Sequence, residues 1–353
     1  MPAVVVIEGE DAAPEVVRPA VRLVDALGTG IEWVRPPVGA AATESHGSLF
    51  PDEARAAIDA ADATFFGSTS GPSAPALFYL RWGKKTFANV RPIRWMPGAR
   101  TPFADASGID FVIVRENLED LYLGLEGDLT DLAPLGFRHR DGTPVVDHAP
   151  GRYAVKVITE AATRDVVTAA FELARRRTAA ARGRSLVTVG TKHNMLRRSD
   201  GYFREVALDV ARAYPDIEVE SYIVDDLARR IVADPKALDV VVLPNLYGDI
   251  LSDAAAGLVG GLGVAPSGCY GHDYAYFEPS HGTAPDIAGK GVINPTAQIL
   301  SAAMLVEHLG FVDEARRLER AVERVYAEGT HLTPDQGGSA STEEMADAIG
   351  ARL

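Results

Sequence analysis

Short β-branched apolar runs that stop at glycine, proline or a charge, with helical patterns between them, recur along most of the chain. Val4 to Ile7 ends before Gly9 and precedes a helical pattern from Pro14 to Leu27. Ala63 to Gly67 leads into a Gly/Ser-rich turn, Gly67 to Pro72, and Ile109 to Val114 ends on Arg115-Glu116-Asn117. Leu186 to Val189, Val219 to Ile223 and Val240 to Leu243 continue the series, with helical patterns over Tyr153 to Arg177 and Asp200 to Tyr214. A short run that is apolar at every position suits a strand covered on both faces, so this alternation predicts an α/β fold with a mixed or parallel sheet flanked by helices. Folds of this kind place their sites on the polar residues at strand ends.

At 353 residues the chain has room for two domains or one large two-lobed unit. Apolar residues at 47% and charged residues at 24% are ordinary globular values, which excludes a disordered or fibrous chain. A formal charge of −14 disfavours a nucleic-acid partner, because phosphate backbones require clustered Lys and Arg. It also makes any arginine cluster informative, since an acidic enzyme for an acidic substrate must concentrate positive charge locally. Cys269 is the only cysteine, which rules out an intrachain disulfide and a cysteine metal site. The opening MPAVVVIEGE carries no basic leader, and no run reaches the roughly 18 apolar residues of a membrane span. A cytoplasmic protein is expected.

Three constellations carry chemistry. In Asn245-Leu-Tyr-Gly-Asp249-Ile-Leu-Ser-Asp253, a helix starting near Gly248 sets two carboxylates one turn apart on one face. Oxygen ligands so placed suit Mg2+ or Mn2+; the alternative is an N-cap Asp followed by an exposed one. Arg81, Arg91 and Arg115 form the second group, able together to fork onto the carboxylates of a di- or tricarboxylate. Tyr122 lies seven residues past Arg115 and Lys192 follows the Leu186 to Val189 strand; the two can serve as acid and base where their pKa values are tuned, the alternative being a Tyr122 that is ordinary core. The third is Glu278-Pro-Ser-His281-Gly282-Thr-Ala-Pro-Asp286-Ile287 through Asn294-Pro295, dense in Gly, Pro and small polar residues, as expected of an ordered functional loop. The chain has neither GxGxxG after a strand nor GxxxxGK[ST], so a standard Rossmann or P-loop site is not expected.

In this order the three constellations resemble the β-decarboxylating dehydrogenases that act on isocitrate, isopropylmalate, homoisocitrate and tartrate or malate. The resemblance spans nearly the whole chain and is most specific at Phe87 to Pro92, Asp110 to Asn117, Asn245 to Gly263 and Glu278 to Pro295. It implies an isopropylmalate-dehydrogenase-like two-domain fold. A discontinuous cofactor domain would comprise 1–104 and 258–353, and a smaller domain, 105–257, would carry the dimer interface and the metal and catalytic residues. It implies a homodimer with shared sites, in which Asp249 and Asp253 of one subunit meet Asp225 and Lys192 of the other around Mg2+ or Mn2+. By the same resemblance, Arg81, Arg91 and Arg115 bind substrate carboxylates and Tyr122 is a catalytic tyrosine.

The loop resembles the family's adenosine site, implying cofactor contacts from Glu278, His281, Gly282, Asp286, Ile287 and Asn294. Asp286 followed by Ile287 resembles the NAD form, in which a carboxylate accepts from the ribose hydroxyls. Gly9-Glu-Asp-Ala-Ala-Pro-Glu15 departs from the family's Gly-Asp-Gly-Ile-Gly-Pro-Glu, and Arg229 and Arg230 replace Met and Gln or His. Those arginines offer an opposing cue, a reach toward a partner's cofactor. Leu77 and Phe78 resemble the apolar pair set against an alkyl group in isopropylmalate enzymes, whereas Arg115 to Tyr122 resembles the isocitrate and homoisocitrate branch. A 3-alkylmalate is the first substrate expected; isocitrate, homoisocitrate, tartrate, malate and phosphonomethylmalate are the alternatives. A non-catalytic regulatory subunit conflicts with retention of Tyr122, Lys192, Asp225, Asp249 and Asp253.

Overall fold

The computed structural model describes residues 1–353. One ten-stranded sheet crosses the molecule in the order Glu32–Val34, Ala3–Ile7, Ala63–Phe66, Ala275–Pro279, Pro266–Tyr270, Ala88–Arg94, Asp110–Glu116, Val240–Leu243, Leu186–Thr191 and Glu218–Ile223. Its two outer portions are parallel, and the antiparallel pairings sit in the middle, on either side of Pro266–Tyr270 and between Ala88–Arg94 and Asp110–Glu116. The mixed sheet expected from the alternating runs is therefore present. Strands drawn from 1–104 and 258–353 lie together on one side, those from 105–257 on the other, and they meet at the Ala88–Arg94 and Asp110–Glu116 pair.

The central strands are buried because helices cover both faces. Val4, Val6, Phe65 and Phe277 pack with residues of the helices Ala13–Ala26, Thr296–His308 and Val312–Glu328. Val112, Val114, Val187 and Val240 pack against the helix Glu160–Ala179, whereas Ile113, Val241 and Leu243 face Asn245–Val259 on the opposite side. No helix is long and apolar enough to cross a membrane.

Local sequence misplaced some boundaries. The helix expected over Tyr153 to Arg177 begins only at Glu160, because Arg152–Ala154 pairs with Glu126–Asp128 as a separate hairpin. The Thr159 hydroxyl then caps the helix, accepting from Ala162 N–H at 3.3 Å. The helix that carries Asp249 and Asp253 starts at Asn245 rather than near Gly248. One reason lies far away in sequence: the Asp120 carboxylate accepts the free Leu246 N–H at 3.0 Å. In the arginine-rich stretch 175–184, Arg175, Arg176, Arg182 and Arg184 are exposed. Arg177 is buried, donating to Asp239 at 2.7 Å and to Asp110 at 3.1 Å.

Glu116, fully buried at the end of its strand, accepts from Leu118 N–H at 2.6 Å and from Glu119 N–H at 3.0 Å. Burial outweighs those bonds and pushes its carboxyl up to about 7. A carboxyl raised in the folded state contributes stability that is present below its unfolded pKa and is lost as pH rises through the folded value. Glu116→Gln keeps the accepting oxygen and removes the titration. Its stability relative to the parent should therefore increase between pH 4.5 and 7 by on the order of 1–3 kcal/mol. Urea melts at the two pH values read this directly, and parallel stabilities of the two proteins across the window would refute it.

Candidate active site

The paired strands Ala88–Arg94 and Asp110–Glu116 set Asn89 opposite Arg115 and Arg91 opposite Ile113, so both arginines approach the first turns of the helix Asn245–Val259. Gly248 permits this approach: a Cβ there would lie 2.7 Å from the Arg115 side chain. Arg91 and Arg115 are only 7% and 2% exposed. Arg115 Nε donates to Asn245 Oδ1 at 2.9 Å, and its Nη1 pairs closely with Asp249. Arg91 Nη1 donates to Ser252 Oγ at 2.8 Å and Asp253 Oδ1 at 3.0 Å, with Asp249 at 3.4 Å. Tyr122 OH donates to the other Asp249 oxygen at 2.6 Å.

Charged side chains crowd together here. Burial first, and then the neighbouring Arg91 and Arg81, push the Arg115 guanidinium down to about 10. Within the chain the Asp249 and Asp253 carboxylates offset this crowding of like charge. Arg81 Nε is buried with no partner inside the chain, an open donor in the same site. Burial also raises the Glu278 carboxyl, opposed by the charges of Arg81, Arg91 and Arg115, which puts Glu278 beside the arginines as well as at the start of the loop. Desolvation raises Asp253, and the nearby Asp249 adds to it. The Tyr122 hydroxyl is raised by burial and then by its bond to Asp249, so it holds its proton at neutral pH.

Arg81 sits on the π-helical turn Tyr79–Gly83 that continues the helix Ala74–Phe78; such wide turns re-aim side chains at functional sites. Its guanidinium lies 5.5 Å from the Trp82 ring centre, and Phe78 meets the same ring edge-on at 5.3 Å. Trp82, which also donates to Leu118 O at 2.9 Å, therefore joins Phe78 to the arginine. Sequence reading passed over it. Phe78 is 52% exposed beside an outer cavity with Phe50 and Tyr79, while Leu77 packs inward against a core containing Ile7 and Ile58, so the two side chains do not share one environment.

Lys192 and Asp225 stand apart from this cluster. Lys192 follows the strand Leu186–Thr191 and pairs closely with Asp225 in the first turn of the helix Val224–Ala233. That contact holds the Asp225 carboxyl below its usual range. Within one chain no three ligand-type side chains come together. The carboxylate pair Asp249 and Asp253 matches a hard divalent cation in donor chemistry and is short of a third ligand. Arg229 and Arg230 are both engaged by Asp226, at 2.8 Å in each case.

The loop after Ala275–Pro279 is built onto the N-terminal segment. Ala12 N–H donates to Thr283 O at 3.0 Å, Ser68 Oγ to His281 O at 2.7 Å, and the Glu15 carboxylate accepts from Gly289 N–H at 2.6 Å and Gly291 N–H at 3.0 Å. His281 turns Nδ1 toward Gly282 O at 2.8 Å and leaves Nε2 buried and unpaired; burial lowers its pKa, keeping the ring neutral. Gly282 and Asp286 are exposed, and Ile287 packs toward Ala12 and Val16. Asn294 commits its amide to Tyr326 at 3.1 Å and Asp335 at 3.0 Å, and so braces the loop. The loop thus leaves one buried ring nitrogen unpaired at His281 and one carboxylate exposed at Asp286.

The altered N-terminal motif folds without its lost glycines. Gly9 remains indispensable: at φ +76° a Cβ would lie 2.0 Å from Ser68 O. Asp11 occupies the left-handed region at φ 55°, which Asp tolerates better than most residues. Glu10 accepts from Thr69 Oγ1 at 2.7 Å, from Ser70 N–H at 3.0 Å and from Ser73, fixing the turn ahead of Ala74–Phe78. Local sequence assigns no role to Glu10 or Glu15, because their donors Ser70 and Gly289 lie 60 and 274 residues away in the chain.

Residues 3–349 match the family model described as isocitrate/isopropylmalate dehydrogenase. The chain is 40% identical over 356 residues to a 3-isopropylmalate dehydrogenase of Archaeoglobus fulgidus, covering 100% of both. It is 40% identical over 351 residues to an isocitrate/homoisocitrate dehydrogenase of Thermus thermophilus, covering 97% of this chain and 96% of that one. Identity to the human mitochondrial isocitrate dehydrogenase [NAD] subunit alpha is 38% over 357 residues, covering 99% and 90% respectively. Among solved structures, isocitrate dehydrogenase from Methylococcus capsulatus aligns with a TM-score of 0.86 at 37% identity, over 100% of this chain and 99% of that one. With the fold, the motif order and these relatives in agreement, the chain belongs to the isocitrate/isopropylmalate dehydrogenase family.

Proposed function

We propose that the protein oxidises a 3-substituted malate with NAD and a divalent cation, releasing the 3-carboxylate as CO2, and that 3-isopropylmalate is its preferred substrate. The observation that carries this reading is the convergence of Arg91 and Arg115, with Arg81 close by, on Asp249, Asp253 and Tyr122. Three guanidiniums suit a substrate with two carboxylates, and the two aspartates suit a hard cation. Bound there, Mg2+ or Mn2+ would act as a Lewis acid on the substrate oxygens, and NAD would accept the hydride.

Asp249 and Asp253 would hold the cation, together with Asp225 of a second copy in a homodimer. The arginines release the aspartates and fork onto the substrate carboxylates. Lys192 of the second copy would take the 2-hydroxyl proton as C2 loses its hydride, giving a 2-oxo-3-carboxylate. The C3–carboxyl bond then breaks, CO2 departs, and its electron pair is left as an enolate. Tyr122, which keeps its proton at neutral pH, protonates C3. Residues 1–104 with 258–353, and 105–257, act as two lobes that hold this site between them.

His281, Gly282, Asp286 and Ile287 are assigned to the adenosine portion, Asn294 to bracing their loop, and Glu278 to the junction with the arginine site. Asp286 favours NAD, because a 2′-phosphate beside a carboxylate is repelled and loses a ribose hydrogen bond. The opposing cue is weakened, since Asp226 already occupies Arg229 and Arg230. Assays of the purified protein with Mg2+, NAD or NADP, and a panel of 3-isopropylmalate, isocitrate, homoisocitrate, tartrate and malate test the reading. Highest kcat/KM is expected for 3-isopropylmalate, with NAD over NADP by at least about tenfold, equivalent to ~1.4 kcal/mol. A tricarboxylate as best substrate would reassign Leu77 and Phe78, and an NADP preference would overturn the role given to Asp286.

A further inference from the structure

The strand pair that carries Arg91 and Arg115 to the catalytic cleft ends, at its other extremity, in a second charged cavity. Arg94 lies opposite Asp110 in the register that sets Asn89 opposite Arg115, a separation of five residues or roughly 16 Å along the strands. The cavity, about 420 Å3, is lined by Arg94 and Asp110 from these strands, Arg182 just beyond the helix Glu160–Ala179, and Arg316, Glu319, Arg320 and Glu323 from the helix Val312–Glu328. It spans elements from both halves of the sheet, and none of its lining residues belongs to the catalytic cluster.

Two of its three carboxylates are already paired within hydrogen-bond distance. Glu323 pairs with Arg94 at 2.6 Å, Asp110 with the buried Arg177 at 3.1 Å, and Glu319 has Arg182 at 3.9 Å. Arg316 and Arg320, one helical turn apart and both exposed, have no carboxylate within 4.0 Å. Four guanidiniums against three carboxylates leave this hollow net positive in a chain of net charge −14. Guanidinium forks in a concave site match phosphate or carboxylate oxygens. We propose that this cavity is a second ligand site, which binds a compact multivalent anion through Arg316 and Arg320, with Arg182 and Arg94 completing the contact from the other elements.

Isothermal titration with inorganic pyrophosphate and, separately, with citrate distinguishes a phosphate from a carboxylate ligand. Both are run without divalent metal and at constant ionic strength, on the intact protein, on R316Q/R320Q and on R91Q. The expected result is saturable binding of one anion per chain that weakens at least tenfold in R316Q/R320Q and persists in R91Q. Both altered arginines of the double variant are exposed, so its thermal melt should match the parent's and separate lost binding from lost fold. Absence of saturable binding by the parent, binding unchanged in R316Q/R320Q, or binding lost only in R91Q would each overturn the proposal.

Discussion

Asp249→Asn should lower kcat/KM by at least about 10³-fold, the equivalent of roughly 4 kcal/mol of transition-state stabilisation. Three side chains of the cluster, Arg115, Arg91 and Tyr122, converge on this one carboxylate. One carboxylate oxygen is shared by Arg115 and Arg91, and the other accepts from Tyr122 OH at 2.6 Å. In the proposed reaction the same group is a cation ligand, and asparagine halves its oxygen donors and removes its charge. Asp253 is less central, because it meets only Arg91 and its side chain is 46% exposed. Asp253→Asn should therefore weaken Mn2+ binding with a smaller loss of turnover. Arg115, 2% exposed, loses its charge partner in Asp249→Asn, so a stability loss of about 1–3 kcal/mol is expected alongside. Mn2+ titration of the folded variant separates the two effects. Turnover within tenfold of the parent at ordinary Mg2+ would remove Asp249 from the metal site.

The sequence made the sheet legible because its central strands are apolar at successive positions and are covered on both faces, which leaves little else for runs such as Val240 to Leu243 to become. It also exposed the arginines and the Asp249/Asp253 pair, since each is fixed by a spacing within one element or by a motif around it. What stayed hidden depends on contacts between distant residues. The Asn245 helix start rests on Asp120, and the Glu160 helix start on a hairpin from Glu126–Asp128. Lys156, between the buried Asp120 and Asp200 at 3.3 Å and 2.7 Å, looks from sequence like any exposed lysine. Trp82 likewise reads as core until the π-turn sets it between Phe78 and Arg81.

Mixing Lys192→Met and Tyr122→Phe, each expected to be inactive alone, should restore turnover, and this tests the proposed homodimer and its shared site more directly than either variant alone. Tyr122 is bonded to Asp249, whereas Lys192 is bonded to Asp225, and the two pairs do not form one cluster within a chain. Removing an acid or a base of this kind costs about 10²–10⁴-fold, so each homodimer should be nearly silent. In a mixed two-fold dimer, one site draws Tyr122 from the Lys192→Met chain and Lys192 from the Tyr122→Phe chain, and so has both. The other site lacks both. Statistical exchange makes half of the dimers mixed, and one of their two sites is intact, so activity should recover to about one quarter of the parent's. Mass spectrometry of differently tagged chains confirms the mixed dimer independently of activity. Recovery identifies a site assembled from two copies; silent mixed dimers would mean that Lys192 serves the Tyr122 of its own chain.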